Sequence, residues 1–105
     1  MTLEQLSKWE DWISDYCDEK RIDSDVFGGF TCNEDGSCEP EDATYICIQV
    51  YDVYGFTDFD ILSKSLDFVG VDYSIADEFT GDGQMWMPYG YQNCRVYGYR
   101  IPLTK

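Results

Sequence analysis

The stretch from Thr44 to Tyr54 limits the fold more than any other part of the chain. Tyr45, Ile46, Cys47, Ile48, Val50, Tyr51 and Val53 leave it apolar on both faces. Strands buried on both faces read as continuous apolar runs rather than as alternating ones, so this segment should be a central strand. The rest of the chain must then supply its neighbours.

Ahead of it, the spacing predicts a helix from about Leu3 to Glu19. Thr2 and Gln5 have the S/T-x-x-E/Q form of a capping box. At 100° per residue, Leu3, Leu6, Trp9, Trp12, Ile13, Tyr16 and Cys17 share one face, and Glu4, Asp11, Asp15 and Asp18 form a narrow stripe on the other. Lys20 to Asp25 reads as a loop and Val26 to Thr31 as a short strand, with Gly28-Gly29 marking a bulge. Asn33 to Ser37 is a turn signal. After the central strand Gly55 breaks the pattern, and Thr57 caps a second helix from about Asp58 to Val69. Its buried face is Ile61, Leu62, Leu66, Phe68 and Val69, and Gly70 ends it.

Beyond Gly70 the reading is all strand. Val71 to Phe79 alternates, with Val71, Tyr73, Ile75 and Phe79 inward and Asp77 breaking the inward row. Gly81-Asp82-Gly83 reads as a hairpin turn, Gln84 to Tyr91 as the returning strand with Pro88 at an edge or bulge, Gln92-Asn93 as another turn, and Cys94 to Ile101 as the last strand. The sum is an α+β fold: one small domain over residues 1–105, two helices packed on a mostly antiparallel sheet of about four to five strands. No internal repeat or low-complexity segment interrupts it.

Charge decides which functions remain open. The chain carries 21 acids, 7 bases and no histidine, for a formal net charge of −14. At 17% aromatic residues it is no disordered acidic tail, which would be poor in aromatics. The field excludes ordinary affinity for nucleic acid or an anionic membrane and points to a cationic partner. Without histidine there is no His-dependent triad, His-ligated metal or imidazole base. Met1 to Arg21 lacks the apolar core and positive start of a secretory signal, and no run approaches the roughly 18 apolar residues of a membrane span, so the cytoplasm is the expected compartment. The five cysteines, Cys17, Cys32, Cys38, Cys47 and Cys94, include no C-x-x-C pair, which argues against structural zinc and for reduced thiols. Cys17 and Cys47 read as small buried residues, and a Cys32–Cys38 disulfide across the turn is a side reading.

The charge is unevenly placed: −10 over residues 1–42, −7 over 43–82 and +3 over 83–105. Asp15, Asp18 and Glu19 stand at the helix C-terminus, where the macrodipole disfavours acids, and like charges three and four apart repel. A sequence shaped only by folding would place lysine or arginine in that last turn. Acids at this spacing lie roughly 5–6 Å apart, a scale broadly similar to the phosphate repeat of a nucleic-acid strand.

These features lead to the expectation of an acidic inhibitor that mimics nucleic acid and occupies the basic groove of a nucleic-acid-handling complex, as phage anti-restriction and anti-CRISPR proteins do. Its partner-binding residues would be Glu4, Asp11, Asp15 and Asp18 on the helix, with Asp23, Asp25, Glu34, Asp35, Glu39, Glu41 and Asp42 on the loops. No catalytic residue, cofactor or metal is expected, nor direct contact with nucleic acid. The plain alternative is an acidic face that only solvates the protein, with the halophile surface as its extreme form. An immunity protein that neutralises a basic nuclease toxin through aromatic anchors is the second functional reading. Calcium binding is a third, because Thr31 to Asp42 overlays an EF-hand loop in part. Thr31 at its first position and Asp42 at its twelfth depart from the pattern. Carboxylate pairs such as Asp58/Asp60 and Asp77/Glu78 leave acid–base catalysis as a fourth. The tyrosines of the C-terminal hairpin, Tyr89, Tyr91, Tyr97 and Tyr99, either pack the sheet or expose a patch that permits a homodimer.

Overall fold

The computed structural model describes residues 1–33, 43–52, 60–87 and 90–104. The first helix, α1 (Leu3–Lys20), begins as its sequence dictates: Thr2 Oγ1 accepts from the Gln5 backbone N–H and Gln5 Oε1 accepts from Thr2 N–H, closing the capping box. Arg21 ends it in the left-handed region at φ 58°. A 3-10 turn, Ser24–Val26, leads into strand β1 (Phe27–Cys32), followed by β2 (Tyr45–Asp52). The second helix, α2 (Asp60–Val69), stops at Gly70, which takes φ 76°. There Gly70 N–H and Val71 N–H both reach the Leu66 carbonyl. Strands β3 (Asp77–Met87) and β4 (Gly90–Pro102) complete the fold.

The four strands form one antiparallel sheet in the order β1-β2-β4-β3. The α+β expectation is met, with four strands described and the apolar run in the interior as β2. Ile46, Ile48 and Val50 of β2 and Ile101 of β4 point to the face that carries both helices. They close a core with Leu6, Trp9, Ile13 and Cys17 of α1 and Ile61, Leu62, Leu66 and Val69 of α2. On the opposite face Cys47, Gln49 and Val96 are buried, and Gln49 Nε2 donates to the Tyr51 hydroxyl at 3.1 Å. Gln5 does double duty: besides its cap, its Nε2 donates to the Val69 carbonyl at 2.8 Å and ties the start of α1 to the end of α2.

Several expectations fail for identifiable reasons. Gly28-Gly29 is no bulge, because β1 and β2 pair one to one from Phe27↔Val50 to Cys32↔Tyr45. Gly29 is needed for approach: a Cβ there would stand 2.5 Å from Trp9 Cζ3. Residues 73–75 are not strand but a 3-10 turn, and Tyr73 and Ile75 are about half exposed. The Asp72 carboxylate accepts from Ser74 N–H at 2.9 Å, a local bond that competes with strand pairing. Gly81-Asp82-Gly83 and Gln92-Asn93 are not turns. Both lie inside the continuous β3–β4 ladder, where Asp82 pairs with Arg95 and Gln84 with Asn93. Leu3 and Phe68, placed on buried faces by periodicity, are exposed, although Phe68 stacks on Trp12 with ring centroids 4.9 Å apart. Residues Asn33-to-Ser37 of the first turn, except Asn33 itself, lie outside the described residues, as do Thr57, Asp58 and Pro88.

Candidate functional site

One face of α1 is committed to the core, so its polar face is presented to solvent by default. Glu4, Asp11, Asp15 and Asp18 are all exposed there. At 1.5 Å per residue the stripe runs about 21 Å along the helix. Its members are not equivalent. Lys8, one turn after Glu4 and on the same side, places its Nζ 3.7 Å from Glu4 Oε1. Both side chains are largely exposed, so this pair adds little stability, but it dilutes the negative charge at the start of the helix. Among the described residues the carboxylates of Asp11, Asp15 and Asp18 have no ion-pair partner.

The 3-10 turn extends this acidic end. Asp23 caps it by accepting from Asp25 N–H at 3.0 Å, and both carboxyl-bearing residues are exposed. Asp15, Asp18, Glu19, Asp23 and Asp25 therefore cluster around the C-terminus of α1, the negative pole of its dipole. The buried Cys17 thiol registers the field: burial pushes it above its ordinary range, and Asp18 and Asp23 push it the same way. A thiol raised in this way is a poor nucleophile. Burial likewise raises Cys94, with Asp52 adding to it. Of the sequence-derived partner residues, the structure thus gathers Asp15, Asp18, Asp23 and Asp25 at one end of α1, with Asp11 at mid-helix and Glu4 at the other end. Glu34, Asp35, Glu39, Glu41 and Asp42 lie outside the described residues, as does Cys38 of the Cys32–Cys38 pair and most of the calcium-loop overlay.

An aromatic element borders the stripe. Trp12, next to Asp11, is half-buried and stacks nearly parallel on the exposed Phe68 ring, with Tyr16 one turn further along. Trp12 and Tyr16 pack partly buried against the core, as periodicity placed them, whereas Phe68 is exposed and lies with Trp12 at the rim between α1 and α2.

Of the carboxylate pairs considered for catalysis, Asp58/Asp60 has Asp58 outside the described residues, and Asp77/Glu78 does not assemble. Asp77 and Glu78 are consecutive in β3 and so project to opposite faces, opposite Arg100 and Tyr99 of β4. Glu78 instead shares an open cleft of about 390 Å³ with Asp60, Ser63, Tyr97 and Tyr99. No spacing rule foretells that meeting, because it depends on where α2 lands on the sheet. Among the described residues no group of three or more potential ligands is placed to hold a metal ion, and no helix is long and apolar enough to cross a membrane. Comparison with protein-family models, curated proteins and solved structures returns no match for this chain.

Proposed function

We propose that this protein is an acidic inhibitor that occupies the basic nucleic-acid-binding surface of another protein or complex, in the manner of phage anti-restriction and anti-CRISPR proteins. It acts by binding rather than by catalysis, and it works in the cytoplasm. The observation that carries this reading is the run Asp11, Asp15 and Asp18 on the solvent face of α1, without ion-pair partners among the described residues. It continues into Asp23 and Asp25 at the negative end of the helix dipole. That placement opposes folding electrostatics, and a row of fixed carboxylates presents lysines and arginines with the charge they would otherwise find on phosphates.

The test is capture on the immobilised protein from nuclease-treated bacterial lysate, eluted by a salt gradient, with Asp11→Asn, Asp15→Asn and Asp18→Asn combined as the control. A nucleic-acid-handling complex that elutes late from the wild type and early from the triple variant supports the proposal. Equal retention by both sinks the acidic-stripe mechanism. The Trp12–Phe68 stack beside the stripe favours the immunity-protein reading as an alternative, because a half-exposed aromatic pair is the kind of anchor such an interface uses. Under that reading Trp12→Ala weakens the complex more than the triple asparagine variant does, and the salt dependence is shallow.

A further inference from the structure

The sheet does not end where its central strand ends. Among the described residues β2 pairs with β4 as far as Asp52↔Arg95, and β3 and β4 continue together from Gly83↔Cys94 to Met87↔Gly90. Five rungs, about 17 Å, therefore lie beyond the described end of β2 as an arm of the β3–β4 ladder. Among the described residues β3 is also the outer strand of the sheet, so its outward N–H and C=O groups form a template for another strand.

Charge marks which part of that edge is open. Asp77, Glu78 and Asp82 guard the half of β3 that lies on the body of the sheet, and residues 83–94 contain no charged residue at all. On the return strand of the arm Tyr91 is 69% exposed, with Gln92 and Asn93 also exposed. We propose that residues 83–87 of β3 are a homodimer edge, along which two copies of this chain pair antiparallel about a two-fold axis at Met85. The inference is independent of whether α1 binds a partner.

The register follows from centring on the uncharged stretch 83–87, which also keeps the acids apart. An axis at Thr80 sets Glu78 opposite the partner copy's equivalent of Asp82, and an axis at position 82 sets the two aspartates against each other; like charges directly opposite destabilise a ladder. An axis at Met85 pairs position 83 with 87 and 84 with 86 and leaves no acid opposite an acid. The two Asp82 residues are then offset by six positions along the ladder, about 20 Å, or roughly two Debye lengths at physiological salt. The occupant is a second copy because the neutral arm is where two chains of −14 can approach each other, and because it offers no carboxylate to a basic partner.

Sedimentation equilibrium of the full chain, from low micromolar to several hundred micromolar, tests this. The expected result is a reversible dimer that tightens as salt rises, since salt screens the repulsion between bodies. This is the opposite of the salt response expected for capture of a basic partner. Met85→Lys weakens the dimer about fivefold or more by placing two lysines across the axis. Gln84→Lys with Trp86→Glu sets opposite charges face to face and retains the dimer, whereas Gln84→Lys with Trp86→Lys abolishes it. Positions 84 and 86 also share a face within one strand, so far-UV circular dichroism and Tm confirm that both double variants fold before their association is compared. A wild-type monomer throughout, a dimer that weakens with salt, or double variants that behave alike each overturn the proposal.

Discussion

Gly29→Ala tests the seating of α1 on the sheet, and with it the orientation of the acidic face. A Cβ at Gly29 would meet Trp9 Cζ3 at 2.5 Å and Trp9 Cε3 and Leu6 Cδ1 at 3.0 Å. Carbon pairs are comfortable at about 3.5–4.0 Å, so the indole must retreat by roughly 1 Å. Trp9 is only 1% exposed, and its ring cannot retreat without moving the helix. Overpacking of this kind costs about 1–3 kcal/mol. Alanine also restricts the unfolded chain, which returns about 0.4–1 kcal/mol. The expected net loss is about 1–2 kcal/mol, a fall in Tm of about 4–16 °C by thermal unfolding followed by far-UV circular dichroism. Gly81→Ala is the internal control, because nothing among the described residues lies within 4 Å of its Cβ position and its φ is not positive. It should be neutral or slightly stabilising, whereas a glycine demanded by a tight turn would not tolerate the change. Trp9→Phe removes the bulk that alanine strikes, and it removes the buried indole Nε1–H, which has no hydrogen-bond partner among the described residues. Adding Gly29→Ala to Trp9→Phe should therefore cost at least about 0.5 kcal/mol less than adding it to the wild type. If Gly29→Ala matches Gly81→Ala in stability, α1 does not rest on β1 in the way described, and the exposed stripe is misassigned.

Three further outcomes follow from the same contacts. Gln5→Ala removes both a cap bond and the link to Val69, and should cost about 1–2 kcal/mol in urea unfolding. Combining Asp11→Asn, Asp15→Asn and Asp18→Asn should raise Tm at low salt, and the gain should shrink as salt is added; a fall in Tm would mean that these carboxylates hold the fold together. The backbone N–H of Ser74 holds the Asp72 carboxyl below its ordinary value of 3.8, with the Ser74 hydroxyl adding to this. Its contribution to stability is therefore complete above the unfolded value and lost as pH falls through the lowered folded value. Titration of Asp72 followed by NMR should give a midpoint below that of an unstructured aspartate, and Ser74→Ala should move it only part of the way back.

The parts of the fold legible in the sequence are those settled by local periodicity. The capping box and the 3.6-residue pattern place α1 within a residue of its ends, and the doubly apolar run is the interior strand β2. Turn chemistry was the weaker guide. Gly81-Asp82-Gly83 and Gln92-Asn93 have turn composition, but they are held straight by their register against each other's strand. The alternation Val71, Tyr73, Ile75 imitates a strand, and the Asp72–Ser74 bond together with the reach of the Tyr73 hydroxyl to Ser63 and Asp67 on α2 draws the segment into a turn. In the first case strand register, and in the second a local bond together with the Tyr73 contact to α2, outweighs a preference of about 1 kcal/mol or less.

The candidate site divides along the same line. Angular placement on one helix suffices to find Asp11, Asp15 and Asp18, because a helix that buries one face must expose the other. The same arithmetic also sets Lys8 beside Glu4, a signal present in the sequence and realised as the ion pair. The meeting of Asp60 with Glu78 in one cleft had no such signal. This difference bears on function. The acids that periodicity can find lie where no packing requirement put them, and at the C-terminus of α1 they oppose the dipole. Other acids of the described residues, by contrast, have partners within the fold. Asp72 and Asp67 accept hydrogen bonds, and Asp82 lies 3.6 Å from Arg95. A carboxylate with a structural task explains its own presence. Asp11, Asp15 and Asp18 have none among the described residues, and the cost they impose on α1 is the physical reason to look outside the chain for what they meet.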